Sequence, residues 1–309
     1  MKILKFQKRK KKFWKSIYNL KNFMPIILSW TPIADRMKAE LTTRVRENDF
    51  KNKYIAIIYT GDNASSATYV RMKTKFANEI GLQLKVFWQD PKIETYEQLM
   101  DTVVELSYDD DCIGVMPQLP LIPELRPHLM ELFDALPPYK DIDGLSSGFM
   151  WQYMTEQLDF LGATPQAVMT LLDEYGFGNL EWKIVSVIGQ SNLLGKPLVL
   201  AALRRGATVM TFNSHSSDEI VRSSCLQSDI IISCTGVIHR LDKTYFRSDQ
   251  SQVVIDVGRG IKDGKAVGDI TLDTIIDKVA AYTPIPWWVG PLTIANLLMN
   301  VKRLYDKYQ

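Results

Sequence analysis

Apolar positions along this chain follow two alternating patterns: short continuous runs of strand length, and spacings of three and four that mark one face of a helix. Residues 32–45 place Ile33, Met37, Leu41 and Val45 at i, i+4 spacing and predict a first helix. Tyr54-Ile55-Ala56-Ile57-Ile58-Tyr59 predicts a strand, and Thr60-Gly61-Asp62-Asn63 a turn. The stretch from Ser65 to Lys75 then opens a helix continued by Phe76, Ala77 and Ile80. Residues 82–88 alternate as a second strand, residues 95–106 form a helix with Leu99, Val103 and Leu106 inward, and residues 112–116 a third strand. That strand runs into Pro117-Gln118-Leu119-Pro120-Leu121-Ile122-Pro123, a proline-punctuated loop at a strand's C-terminal end, where α/β sheets place ligands. Residues 137–144 read as a turn-rich connector and the domain boundary.

The second half predicts helices near residues 149–160 and 165–175. A strongly apolar strand follows at 182–188, ending in Gly189-Gln190-Ser191-Asn192-Leu193-Leu194-Gly195-Lys196-Pro197, then a helix at 198–205. Strands at 206–212, 229–233 and 253–257, with a helix at 220–226, complete a parallel βαβ pattern of nucleotide-binding type. The last helix carries Ile294, Leu297, Leu298 and Val301 on one face. The class is therefore α/β, with two α/β domains, the second a Rossmann-type parallel sheet.

Length and charge sharpen this picture. A chain of 309 residues accommodates two cores. Its formal net charge of +2 conceals nine Lys or Arg and no acid in residues 1–24. The remainder holds 28 basic residues (37 less those nine) against 35 acidic ones, so the body does not suit nucleic acid. The basic leader, residues 1–25, is expected to be a solvated, disordered tail, a mitochondrial presequence being the lesser reading. No apolar run approaches the ~20 residues that span a bilayer. Cys112, Cys225 and Cys234 have no metal-like spacing, and His128, His215 and His239 form no ligand pair, so no metal site is expected. Free cysteines fit a reducing compartment, and a cytoplasmic location is expected.

Candidate chemistry begins with Tyr69 and Lys73, a phenol and an amine one helical turn apart on one face. From spacing alone, a solvated lysine above a half-buried tyrosine is the simpler reading. Gly189 permits a tight turn and close backbone approach to a diphosphate at a helix N-terminus, although Ser191 holds the middle glycine position.

Five patches, in order, change those odds. They are Ser66-Ala67-Thr68-Tyr69-Val70-Arg71-Met72-Lys73; Gln118-Leu119-Pro120-Leu121; Lys140-Asp141-Ile142-Asp143-Gly144; Gly189-Gln190-Ser191 with Gly195-Lys196-Pro197; and Thr283-Pro284-Ile285-Pro286 with Val289-Gly290-Pro291-Leu292-Thr293. Together they resemble the bifunctional methylenetetrahydrofolate dehydrogenase/methenyltetrahydrofolate cyclohydrolase family. The resemblance implies two domains facing across a cleft, with the last helix returning to the first: 26–147 plus 287–309 for folate and 148–286 for the cofactor. It implies Lys73, Tyr69, Gln118 and Asp143 as the catalytic group. It also places Tyr69, Asp143, Pro286, Trp287, Gly290 and Pro291 against substrate, and Gly189, Gln190, Ser191, Ser214, Gly236 and Gly258 against NADP, with NAD as the alternative. Tetrahydrofolate derivatives and a second copy of the chain are the implied partners; no nucleic acid or membrane is expected.

The chain departs from the family pattern in places. Gln190 stands where an arginine is usual, and that arginine is expected to grip the 2′-phosphate of NADP. Trp287-Trp288 replaces a glycine pair in the closing loop. These departures raise an alternative, a folate- or nucleotide-binding relative with one or both activities lost.

Overall fold

A computed structural model of the protein describes residues 24–47, 50, 52–60, 64–87, 94–285 and 290–308. The leader up to residue 23 lies outside the described residues, as do Pro286, Trp287 and Trp288.

The first half is built on a three-stranded parallel sheet. Its strands are β2 (Tyr54–Tyr59), β3 (Gln83–Phe87) and β4 (Cys112–Gln118), in the order β3-β2-β4. All six residues of β2 are buried, as a central strand with both faces covered requires, whereas edge strand β3 is largely exposed. Helices α1 (Thr31–Glu47) and α2 (Ala64–Ile80) pack on one another, and α3 (Tyr96–Tyr108) opens with a capping box between Thr95 and Gln98. The short helices α4 (Leu129–Ala135) and α5 (Ser147–Met154) lead out of this half.

Helix α6 (Ala163–Glu174) precedes the second sheet, of six parallel strands: β1 (Ile26–Ile27), β5 (Ile184–Ile188), β6 (Thr208–Phe212), β7 (Ile230–Ser233), β8 (Val253–Asp256) and β11 (Ala281–Tyr282). Their order is β1-β11-β8-β7-β5-β6. Helices α7 (Gly195–Arg204) and α8 (Asp218–Gln227) are its crossovers, and β9 (Gly260–Lys262) with β10 (Lys265–Val267) forms a small antiparallel hairpin. The α/β class and the Rossmann-type parallel sheet are as the sequence predicts. Ile26 and Ile27, grouped by the sequence reading with the first half, pair instead with Ala281 and Tyr282.

The last helix, α9 (Gly290–Tyr308), packs against both α1 and α6, so it returns to the first half while touching the second. Buried Asn300 anchors it by donating to the carbonyls of Ile142 (3.2 Å) and Leu161 (2.9 Å). One apolar core runs through Trp30, Leu41, Ile57, Met116, Phe149, Leu171, Val187 and Leu297, linking the two sheets.

Some predicted boundaries shift. The helix expected at 149–160 stops at Met154, with Glu156 at φ +62° turning the chain away. The strand expected from Trp182 starts at Ile184, because Trp182 sits at φ +64° and is 91% exposed. Pro117 and Gln118, expected in a loop, extend β4 opposite Ile58 and Tyr59; a proline is tolerated there because β4 is an edge strand.

Candidate active site

Helix α2 and strand β4 bring the first group together. Alternation along β4 puts Met116 and Gln118 on the same side of the strand. Lys73 Nζ lies 3.0 Å from Gln118 Oε1 and 2.9 Å from Met116 Sδ. Gln118 Nε2 donates to the Leu119 carbonyl at 2.9 Å, which turns its oxygen toward the lysine. Ser66, one turn before Tyr69, donates to the same Leu119 carbonyl at 3.2 Å and ties the helix to the strand end. Burial pulls the Lys73 pKa below the ordinary lysine value, and the charge of Asp143 opposes that in part.

The segment Lys140-Asp141-Ile142-Asp143-Gly144 carries Asp143 to the same place. Buried Lys140 donates to the carbonyls of Leu106, Ser107 and Asp109 at 2.8–2.9 Å, closing the C-terminal end of α3. Fully buried Asp141 accepts from the backbone N–H groups of Gly144, Leu145 and Ser146 and shapes the turn. Within the turn that Asp141 wraps, Asp143 faces the cleft. Burial pushes its carboxyl up to about 6, against the pull of Lys73 and with a further push from Asp141.

Tyr69, Lys73, Gln118 and Asp143 all line one cleft of about 580 Å³, together with Gly290 at the head of α9. Pro291 lies beside it but does not line it. The far wall comes from the second half: Leu193 and Leu194 of the β5–α7 turn, and Val257 and Arg259 after β8. A shallower depression of about 670 Å³ on the solvent side of α2, between Arg71, Lys75 and Val86, gathers no such chemistry.

On that far side, Gly189, Gln190 and Ser191 follow β5, Ser214 follows β6, Gly236 follows β7 and Gly258 follows β8. These are the carboxyl ends of neighbouring parallel strands, the crevice where such sheets hold dinucleotides. None of the six lines the cleft itself; Val257 and Arg259 beside Gly258, and Leu193 and Leu194 shortly after Ser191, do. Gly189 stands at φ +119°, and a Cβ there would fall 2.5 Å from the Cys234 carbonyl, so only glycine fits this turn. Gly258 is equally constrained, its missing Cβ position lying 1.9 Å from Asp269 Oδ1. Gln190 donates to Thr211 Oγ1 at 3.2 Å and accepts from Asn213 at 3.0 Å. Ser191 and Ser214 are exposed. The bare backbone at Gly189, below the start of α7, fits a bound diphosphate.

Two residues were not foreseen. Arg259 reaches over the Tyr69 ring, 5.1 Å from its centroid, and Met116 touches the lysine amine. Arg259 directly follows Gly258, a predicted cofactor contact, and that adjacency was the available signal. Met116 had one too, its position two residues before Gln118. Among the described residues no group of His, Cys, Asp and Glu could hold a metal ion, and no helix is long and apolar enough to cross a membrane. Cys112, Cys225 and Cys234 are free thiols, burial raising the last two to about 12.

A lysine-bearing cleft on one sheet, closed by the dinucleotide crevice of a second, defines a nicotinamide-cofactor protein of the two-sheet α/β type. The chain belongs to the tetrahydrofolate dehydrogenase/cyclohydrolase family: residues 28–143 match its catalytic domain and residues 162–309 its NAD(P)-binding domain. The protein called bifunctional protein FolD in Lactobacillus gasseri is 33% identical over 275 residues, spanning 89% of this chain and 94% of its own. That of Clostridium perfringens is 34% identical over 286 residues, 92% of this chain and 100% of its own. Among solved structures, the bifunctional FolD methylenetetrahydrofolate dehydrogenase/cyclohydrolase of Campylobacter jejuni superposes with a TM-score of 0.82 at 31% identity, covering 91% and 99% of the two chains. The Trypanosoma brucei enzyme, complexed with NADP cofactor and inhibitor, gives 0.82 at 25% identity over 92% and 98%.

Proposed function

We propose that this chain oxidises 5,10-methylenetetrahydrofolate to 5,10-methenyltetrahydrofolate with NADP, and hydrolyses the methenyl product to 10-formyltetrahydrofolate. The observation that carries this reading is the amine of Lys73, held 3.0 Å from Gln118 in a cleft it shares with Tyr69 and Asp143.

The bound nicotinamide would supply the acceptor for the hydride leaving the one-carbon bridge. Tyr69 offers a ring face to the folate, and burial raises its hydroxyl so that it stays a donor at neutral pH. Asp143 accepts hydrogen bonds from the amino-pyrimidine edge of the pterin. A cation left on the folate disfavours a charged neighbour, and burial keeps Lys73 inclined to the neutral form. Water then adds to the methenyl carbon and Lys73 Nζ takes its proton. The bond from that carbon to N5 breaks as protonated Lys73 returns its proton to N5 and the hydroxyl proton leaves to solvent, so that the formyl group remains on N10. Gln118 orients the amine without adding charge. Gly189, Gln190, Ser191, Ser214, Gly236 and Gly258 would hold the cofactor.

The same reading divides the chain into 26–147 plus 287–309 for folate and 148–286 for the cofactor, although Ile26 and Ile27 pair into the cofactor-side sheet. It makes the protein a cytoplasmic homodimer, which light scattering after gel filtration tests. The alternative, a relative that has lost activity, gains no support: the four cleft residues assemble, the curated relatives are named bifunctional, and the Campylobacter jejuni structure is named for both activities. The decisive assay gives purified protein 5,10-methylenetetrahydrofolate with NADP or NAD. Reduced cofactor and 10-formyltetrahydrofolate are expected, and their absence with both cofactors overturns the proposal.

A further inference from the structure

Lys73 Nζ has two acceptors in the structure, Gln118 Oε1 at 3.0 Å and Met116 Sδ at 2.9 Å. A neutral amine has two N–H bonds and one lone pair in a tetrahedral arrangement. If each acceptor takes one N–H, the lone pair is left with the remaining open direction. Lys73 lines the cleft, whereas Met116 is fully buried behind it, so that direction is the cleft.

We propose that Met116 is a positioning residue: its thioether sulfur fixes the second N–H of the Lys73 amine, so that the lone pair faces the water attacking the one-carbon unit. This deepens, and rests on, the reading of Lys73 as proton acceptor. The choice of sulfur has a physical sense. A thioether is a weak acceptor. It orients an N–H without the strong attraction by which a carboxylate there would hold a third proton on nitrogen. An alkyl side chain at the same place would leave the amine held by Gln118 alone and free to turn about that one hydrogen bond.

The test is Met116→Leu, a swap close to constant volume that cores tolerate. Hydrolysis of methenyltetrahydrofolate and reduction of NADP are measured separately across pH, alongside wild type, with a thermal melt to check folding. Losing one weak orienting bond is expected to lower the hydrolysis kcat by about 2- to 10-fold. The folate KM and the dehydrogenase rate stay within about twofold, since neither needs the lone pair aimed. The acid limb of the hydrolysis profile moves to lower pH, because the ammonium form has lost an acceptor. Met116→Gln, which returns an acceptor at similar reach, is expected to recover hydrolysis above the Leu variant.

Wild-type hydrolysis with a Leu variant equal to it in kcat and pH profile overturns the role of Met116 and leaves Lys73 in place. Equal losses in the Leu and Gln variants also overturn it, in favour of side-chain shape alone. A wild type without hydrolysis removes the reading of Lys73 itself, and this inference with it.

Discussion

The guanidinium of Arg259 lies over the ring of Tyr69, 5.1 Å from its centroid. A residue following strand β8 of the second sheet thus touches helix α2 across the cleft. The contact fixes the tyrosine ring on which the folate is proposed to lie, and it opposes the upward push of burial on the phenol. Arg259→Leu keeps the apolar stem and removes the cation. A cation–π contact in a partly dry site contributes about 0.5–2 kcal/mol, so kcat/KM for 5,10-methylenetetrahydrofolate should fall by about 2- to 30-fold. Steady-state kinetics at saturating cofactor measure this. An unchanged value would show that the contact is not carried into the complex.

Lys73→Met removes the proposed proton acceptor but keeps most of the buried stem. Loss of a positioned general base typically costs about 10²- to 10⁴-fold, and hydrolysis should drop by that order. Folate binding should persist, because Tyr69 and Asp143 remain, and a fluorescence or calorimetric titration would show it. Normal hydrolysis in this variant would take Lys73 out of its assigned role.

What the sequence disclosed and what it hid divide along physical lines. Helical spacing put Tyr69 and Lys73 on one face but by itself favoured a solvated lysine; what marked them, Gln118 and Asp143 as site residues was the resemblance of their short segments to the family's motifs. Lys140 and Asp141 explain why that last segment reads as a motif: one caps α3 and the other wraps the turn. Arg259 meets Tyr69 only because two sheets face each other, a relation no local pattern carries. Strands β1 and β11 were missed because two residues show no period. The helix predicted through residue 160 failed because apolar spacing continues past Glu156, where the backbone has already turned. Pro286, Trp287 and Trp288, which the sequence marks as a departure from the family, lie outside the described residues.

Asp143 gives a pH prediction whose sign follows from burial. Its folded pKa, about 6, is above the ordinary aspartate value, so between about pH 4 and 6 the folded protein keeps a proton that the unfolded chain releases. Its contribution to stability is therefore full below that window and falls as pH rises through it. Asp143→Asn cannot ionise, so it should be more stable than wild type above pH 6, by roughly 1–3 kcal/mol, and lose that advantage toward pH 4. Thermal melts of both proteins from pH 4 to 8 measure the difference. The same variant should bind folate more weakly at pH 7, where the wild-type carboxylate is ionised and is proposed to accept from the pterin.

Gln190 is proposed to stand beside the 2′-phosphate of the cofactor. Its amide is engaged with Thr211 and Asn213, so it presents no charge where the family pattern has an arginine. Gln190→Arg places a guanidinium beside β6, within reach of exposed Ser214 on the same rim. A hydrogen bond to a charged group contributes about 1.5–3 kcal/mol, so KM for NADP should fall by about 10- to 100-fold. KM for NAD, which has no such phosphate, should stay within about twofold. The gain for NADP should shrink as salt is raised, since the new contact is exposed and ionic. Equal changes for both cofactors would mean that the 2′ position lies elsewhere on this face.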